Sequence, residues 1–343
     1  MAHPVVMTAG HPAAMLGVGA YRPRRTVTND EVCAVLDVDP DWVLARSGIR
    51  TRRFAGPDET VVAMAVTAAR DALAAAGVGA ADVGATLVAT LSADAACPQV
   101  ATRVAHEIKA GNGPAMDLGA ACAGFCYALE VAGSLVGAGH GVVLVVGVER
   151  MTDIVDPTDR STAFLFGDGA GAAVVGPAGV SGIGPAAWGA DGSQAELIVQ
   201  SPSFVEHARG LDDRMPALRM QGPAVFRWAT TRMPAVARQA LDRAGMKAEQ
   251  LDAFVPHQAN ARITAGIVRA LGLPEHVAVA RDVETTGNTS AASVPLAMHA
   301  LVSTGAAQPG DHALLLGFGA GLTFAAQVAS LPPARACPIG VLC

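Results

Sequence analysis

A chain of 343 residues, 51% hydrophobic and 16% charged with 38 glycines, is long enough for one large domain or two coupled ones around a sizeable core. A formal charge of −6 argues against a nucleic-acid binder, and no apolar run reaches the ~18 residues of a membrane helix. Six cysteines (33, 97, 122, 126, 337 and 343) form neither a CxxC pair nor a regular framework; this argues against a disulfide scaffold or zinc module and fits a reduced, cytoplasmic setting.

From the N-terminus, Pro4 and Pro12 interrupt a segment with no charged lead into an apolar stretch, so no secretion signal is expected. Strands are predicted at 13–18, 85–90, 142–148, 170–175, 253–255, 277–280 and 313–318. Helices are predicted at 61–76, 100–110, 122–136, 224–244, 261–271 and 290–303. The alternation argues for an α/β protein with mostly parallel sheets. A faint repeat is visible. Asp117-Leu118 before Cys122 is echoed by Asp282-Val283 before Asn288, and Leu144-Val145-Val146-Gly147 by Leu314-Leu315-Leu316-Gly317. Two copies of one α/β unit explain it, over 1–180 and 181–331, joined in the Gly/Pro-rich stretch 176–192. The tail 332–343, with three prolines, is expected to be flexible.

Three motifs carry chemistry: Ala120-Ala121-Cys122-Ala123-Gly124-Phe125, Val255-Pro256-His257-Gln258-Ala259-Asn260, and Gly287-Asn288-Thr289-Ser290-Ala291-Ala292-Ser293. Cys122 opens a predicted helix, whose positive end favours the nucleophilic thiolate. Its small neighbours let a thioester approach. His257 follows a predicted strand, and Asn288 lies on a turn. An imidazole N–H and an amide N–H aimed at one thioester oxygen would stabilise an enolate there without proton transfer. Taken singly, such a cysteine reads as a buried structural residue, such a histidine as a packing residue and such an asparagine as a cap.

The three motifs in this order resemble the thiolase-like condensing enzymes, and most closely β-ketoacyl-acyl carrier protein synthase III, over residues 16–331. The resemblance implies a duplicated five-layered αβαβα fold with two mixed, mostly parallel sheets. It implies that Cys122 takes an acyl group from acyl-CoA, and that His257 and Asn288 support decarboxylation of malonyl-acyl carrier protein. The resulting carbanion then attacks the acyl thioester. Coenzyme A enters as a substrate thioester, and no metal or redox cofactor is implied.

Further residues follow from the same resemblance. In Gly317-Phe318-Gly319-Ala320-Gly321, the backbone N–H of Ala320, at the family's usual second glycine, joins that of Cys122 as an oxyanion hole. Phe318 packs beside His257 and Asn288 at the acyl pocket. Phe166-Gly167-Asp168-Gly169-Ala170-Gly171 is a family signature, read as a turn into a strand. Trp42, Arg46 and Arg160 resemble the coenzyme A site, with adenine between Trp42 and Arg160. Asn260 is expected to bond the pantetheine arm and Phe226 to line its tunnel. Arg262 and the basic stretch 209–247, eight cations against three acids, are expected to dock the acidic carrier protein. Cys97 stands where straight-chain bacterial members often have Phe. In the family this loop closes the acyl pocket of a homodimer partner, so a primer larger than acetyl is expected. Three rivals stay open: an O- or N-acyltransferase that does not decarboxylate, a cysteine protease, and a non-catalytic partner subunit.

Overall fold

A computed structural model describes residues 11–335. Its first sheet runs in the spatial order Ala13–Tyr21, Gly169–Pro177, Val142–Glu149, Val83–Ala89, Ala115–Leu118. The second runs Ala278–Val279, Ala253–Pro256, His312–Gly319, Thr323–Ser330, Ala187–Ala190. Read from opposite ends, the two orders are the same. Val83–Ala89 and Ala253–Pro256 each lie parallel to both neighbours. Gly169–Pro177 and Thr323–Ser330 each lie antiparallel to both. Each sheet is therefore mixed and mostly parallel, with four of its five strands pointing the same way and one reversed. The reversed strands are the ones that return after Val142–Glu149 and His312–Gly319.

The strands are continuous apolar runs because both faces are covered. Alternate residues face opposite layers: Leu87, Val143 and Val145 join the inner core, while Val88, Leu144 and Val146 join an outer one. The inner layer is a pair of helices, Gly124–Gly137 and Ser293–Ser303, buried between the two sheets. Val61–Ala76 and Val100–Ile108 cover the far face of the first sheet. Gly222–Ala244 and Ala261–Leu271 cover that of the second. This is the αβαβα stack.

Each inner helix is entered through a 3-10 turn, Ala121–Ala123 or Ser290–Ala292, rather than directly. Ala121 (φ 45°) and Ser290 (φ 47°) take the left-handed conformation at matching points. The repeat thus pairs Cys122 with Ala291, not with Asn288. The close approach demands glycine. A Cβ on Gly147 would lie 2.3 Å from the Ala291 carbonyl oxygen, and one on Gly317 would lie 2.9 Å from the Ala123 Cα.

Three strands of the two large sheets escape sequence reading, Ala115–Leu118, Ala187–Ala190 and Thr323–Ser330, as do the four strands of two small two-stranded sheets, Arg25–Thr28 with Thr51–Phe54 and Ile198–Ser201 with Ala217–Met220. So do two eight-residue helices, Asn29–Leu36 and Pro40–Ser47. The expected flexible tail begins differently. Pro333 accepts a hydrogen bond from Val18 N–H at 3.0 Å and Ala334 bridges to Val18, because that edge of the first sheet has a free donor to satisfy. The rest of that tail, with Cys337 and Cys343, lies outside the described residues.

Candidate active site

Three loops converge between the sheets. Cys122 sits in its 3-10 turn at the mouth of the inner helix. Gly319, at the end of its strand, passes so close that a Cβ there would meet the Cys122 Cβ at 2.8 Å. His257 directly follows the strand Ala253–Pro256 and is buried. Asn288 lies between Gly287 and the turn Ser290–Ala292, with its backbone bonded to Leu165 and Gly167. All three side chains line one interior cavity with about 50 Å³ of room, together with Phe318, Gly319, Ala320 and the apolar Leu91, Phe166 and Trp228.

The polar groups are held from behind. His257 Nδ1 is 2.6 Å from Ser293 Oγ, and its ring meets Phe318 edge-on with centroids 5.1 Å apart. When Ser293 donates to Nδ1, Nε2 carries the ring hydrogen. Burial pushes the His257 pKa down to about 3, so the ring is neutral at working pH. Asn288 Oδ1 accepts the Ser290 N–H at 2.9 Å, which leaves the Nδ2 hydrogens for the cavity. Cys122 Sγ donates to Ser290 Oγ at 3.4 Å. The helix entry was expected to favour the thiolate. Burial works the other way and is larger: it pushes the Cys122 thiol up to about 12, the charge of Glu149 adds to it, and the Ser290 hydrogen bond opposes it. Cys122 therefore rests as a thiol.

Sequence reading gave Ser290, Ser293 and Glu149 no role. The two serines stand inside the Asn288 motif. Glu149 read as the polar end of an apolar strand, yet it is fully buried.

An outer cleft of about 660 Å³ opens onto this cavity, with Met220, Val225, Ala259 and Asn288 lining both. Its walls bring together Trp42, Arg46, Arg160, Phe226, Asn260 and Arg262. Trp42 stacks edge-on against Phe164 (5.1 Å), and the Arg46 guanidinium lies 4.9 Å over the Trp42 ring. Arg160 reaches Asp37 at 3.2 Å. Arg262 lies 5.3 Å over Phe226. Asn260 caps the helix Ala261–Leu271: its Oδ1 accepts from Arg262 N–H (2.8 Å) and its Nδ2 donates to the Arg46 carbonyl (3.0 Å). Its amide therefore already works within the protein.

Two expectations look different in three dimensions. The basic stretch 209–247 is not one free surface. Arg214 pairs with Asp212, and Arg219 with Asp156 and Asp159. Arg232 lies over Phe324, while Arg238 and Arg243 donate to the carbonyls of Ala270 and Ala186. Cys97 is exposed and is absent from the cavity lining within one chain.

Among the described residues no group of three or more His, Cys, Asp or Glu could hold a metal ion, and no helix is long and apolar enough to cross a membrane.

Comparisons with known proteins agree with this geometry. Residues 116–192 match the family model for 3-oxoacyl-[acyl-carrier-protein] synthase III, and residues 241–331 match the model for its C-terminal part. A β-ketoacyl-[acyl-carrier-protein] synthase III of Streptomyces glaucescens is 51% identical over 321 residues, covering 93% of this chain and 96% of the relative. The solved priming β-ketosynthase of the R1128 polyketide biosynthetic pathway superposes with a TM-score of 0.94 at 48% identity, over 97% of this chain and all of that one. The 3-oxoacyl-(acyl carrier protein) synthase III of Pseudomonas aeruginosa PAO1 gives 0.86 at 38%, over 95% of this chain. With a thiol, a neutral imidazole and a carboxamide gathered on one cavity of a duplicated αβαβα fold, this chain belongs to the 3-oxoacyl-[acyl-carrier-protein] synthase III family.

Proposed function

We propose that this protein condenses an acyl-CoA primer with malonyl-acyl carrier protein to give 3-ketoacyl-acyl carrier protein and CO2. The observation that carries the reading is the shared cavity of Cys122, His257 and Asn288 at the inner end of the Trp42–Arg262 cleft. Cys122 Sγ attacks the primer thioester, and the tetrahedral oxyanion is taken by the backbone N–H groups of Cys122 and Ala320. Coenzyme A leaves and the malonyl arm enters. As CO2 departs, charge grows on the malonyl thioester oxygen, and His257 Nε2–H and Asn288 Nδ2–H receive it. A neutral donor suits this step: an imidazolium would hand its proton to the enolate, whereas a neutral ring can only donate a hydrogen bond. The sequence of steps balances without a metal or redox cofactor.

The pair of donors is also what disfavours simple acyl transfer to an alcohol or amine, which forms no enolate. The outer cleft suits a nucleotide thioester, with the flat Trp42 ring for a base and Arg46 and Arg160 for phosphates. Loading by coenzyme A and a carrier protein, and the need for a free thiol, suit the cytoplasm. A homodimer is part of the proposal. Strand Ala115–Leu118 is an edge, paired on one side only, and exposed Cys97 needs a second copy to reach an acyl pocket. There its small side chain would leave room for a branched or medium-chain primer, or for a polyketide starter.

Five outcomes test this. Incubation with acyl-CoA adds the acyl mass at Cys122, seen by mass spectrometry. His257→Ala and Asn288→Ala keep that label but release CO2 from malonyl-carrier protein on the order of 10²–10³-fold more slowly. Loss of labelling in either variant contradicts the assigned roles.

Histidine NMR shows the His257 ring neutral from pH 8 down to 5. Because its folded pKa lies below the unfolded value of 6.5, the unfolded chain takes the proton first, and the stability this residue contributes falls as pH drops below 6.5. A His257 titration near neutrality contradicts the neutral-donor role. Reversing charge with Arg262→Glu raises the KM for carrier-bound malonate while sparing acylation by acyl-CoA; equal loss of both removes Arg262 from docking. Across a panel of acyl-CoAs, branched or longer primers acylate Cys122 at least as fast as acetyl; a strong preference for acetyl overturns the enlarged pocket.

A further inference from the structure

Glu149 is a fully buried carboxylate that the reaction as described does not use. Its Oε2 accepts Ser92 Oγ–H at 2.6 Å, Thr90 Oγ1–H at 3.2 Å and Leu91 N–H at 3.1 Å. Its Oε1 accepts Ser290 Oγ–H at 3.0 Å. Ser290 is itself fully buried and accepts the Cys122 thiol hydrogen at 3.4 Å. Sulfur, hydroxyl and carboxylate thus form one hydrogen-bonded line with every proton pointing toward Glu149. Among the described residues no cation pairs with Glu149; its neighbour in sequence, Arg150, turns to Asp153 at 3.2 Å. Cys122 is the titratable group that faces it, and Thr90, Leu91, Ser92, Ser290 and the Ala291 N–H form the rest of its surroundings.

We propose that Ser290 and Glu149 are a proton relay that takes the Cys122 proton as the acyl-enzyme forms. This rests on the acylation step proposed above. As Cys122 Sγ bonds to the thioester carbonyl carbon, its proton passes to Ser290 Oγ and the Ser290 proton passes to Glu149 Oε1. The bond from the carbonyl to the coenzyme A sulfur breaks, and that sulfur leaves with the electron pair and takes a proton from water at the cleft. When condensation expels Cys122 as a thiolate, Glu149 returns its proton along the same line. The physical gain is that no new charge is created in a dry site. The negative charge already buried on the carboxylate moves to the sulfur. Burial raises the Glu149 carboxyl to about 7, against its hydrogen bonds, so the acceptor gains and loses a proton near neutrality. In these roles Ser290 touches the reacting sulfur, while Glu149 is a positioning and accepting residue that acts through it.

The test is the pH profile of Cys122 alkylation by iodoacetamide, with thermal melts to check folding. The wild-type rate rises and bends near pH 7. Glu149→Gln and Ser290→Ala each lose the bend and react about a hundred-fold more slowly at pH 7.5, recovering only in alkali. Ser290→Ala leaves the Thr90, Leu91 and Ser92 bonds to Glu149 in place, so it reads the relay even if Glu149→Gln fails to fold. A wild-type profile in both variants overturns the relay. So does a uniform loss at every pH with the bend unmoved, which assigns both residues to packing. Acyl-CoA labelling of the wild type, run in parallel, separates the two readings: its absence sinks the proposed reaction, while the alkylation profile alone decides the relay.

Discussion

Backbone pressed against backbone at two glycines is the constraint that organises this molecule. Gly147 and Gly317 are each the sixth residue of the third strand in their sheets, and each receives the turn that opens an inner helix from the other half. Any side chain there would push a turn out of the sheet. The turns are seated so deeply that Ala121 and Ser290 are held in a left-handed conformation that costs about 1–3 kcal/mol apiece. Packing of the two inner helices between the sheets outweighs that cost. What the strain provides is position: it sets Cys122 on Gly319 and Ser290 on Glu149, the corresponding ends of the two strands. One scaffold contact, made twice, carries Cys122 in one half and its hydrogen-bond partner Ser290 in the other.

The chamber is dry, and that decides which charges it tolerates. Burial holds the thiol protonated and the imidazole neutral, and it weakens the acidity of Glu149. A site of this kind is poor at storing charge and good at meeting charge that appears briefly, because its donors are already oriented and no solvent competes for them. Ser293 behind His257 and the Ser290 N–H behind Asn288 supply the orientation.

How much of this could be read beforehand depended on element length and on what each residue faces. Long periodic helices were legible almost to the residue: 61–76 and 261–271 coincide with Val61–Ala76 and Ala261–Leu271. The strand Ala115–Leu118 was not, because it is four residues long and holds an acid. Asp117 is there to cap the helix Val100–Ile108 through the N–H groups of Val100 and Ala101, a tertiary reason that no local pattern carries. Thr323–Ser330 mixes alanines with the buried Gln327 and has only Thr323 and Val328 as β-branched residues, a weak strand signal. Pro40–Ser47, which supplies Trp42 and Arg46, is too short for a convincing period. At the site, Cys122, His257 and Asn288 stood out because their motifs are specific. Glu149 and Ser290 did not, because a strand-ending acid and a serine acquire meaning only when two distant turns meet. The thiolate expectation failed for a related reason: a helix end is visible in sequence, but the dryness around it is not.

The junction between cleft and chamber sets the order of events. Met220, Val225, Ala259 and Asn288 wall both compartments, so the two thioesters share a doorway. A pantetheine arm lying across that threshold excludes another. On the proposed reaction, discharged coenzyme would then have to depart before the second guest is admitted, which is a ping-pong order set by geometry. On the same reading, either thioester in excess would occupy the wrong form of the enzyme and act as its own inhibitor.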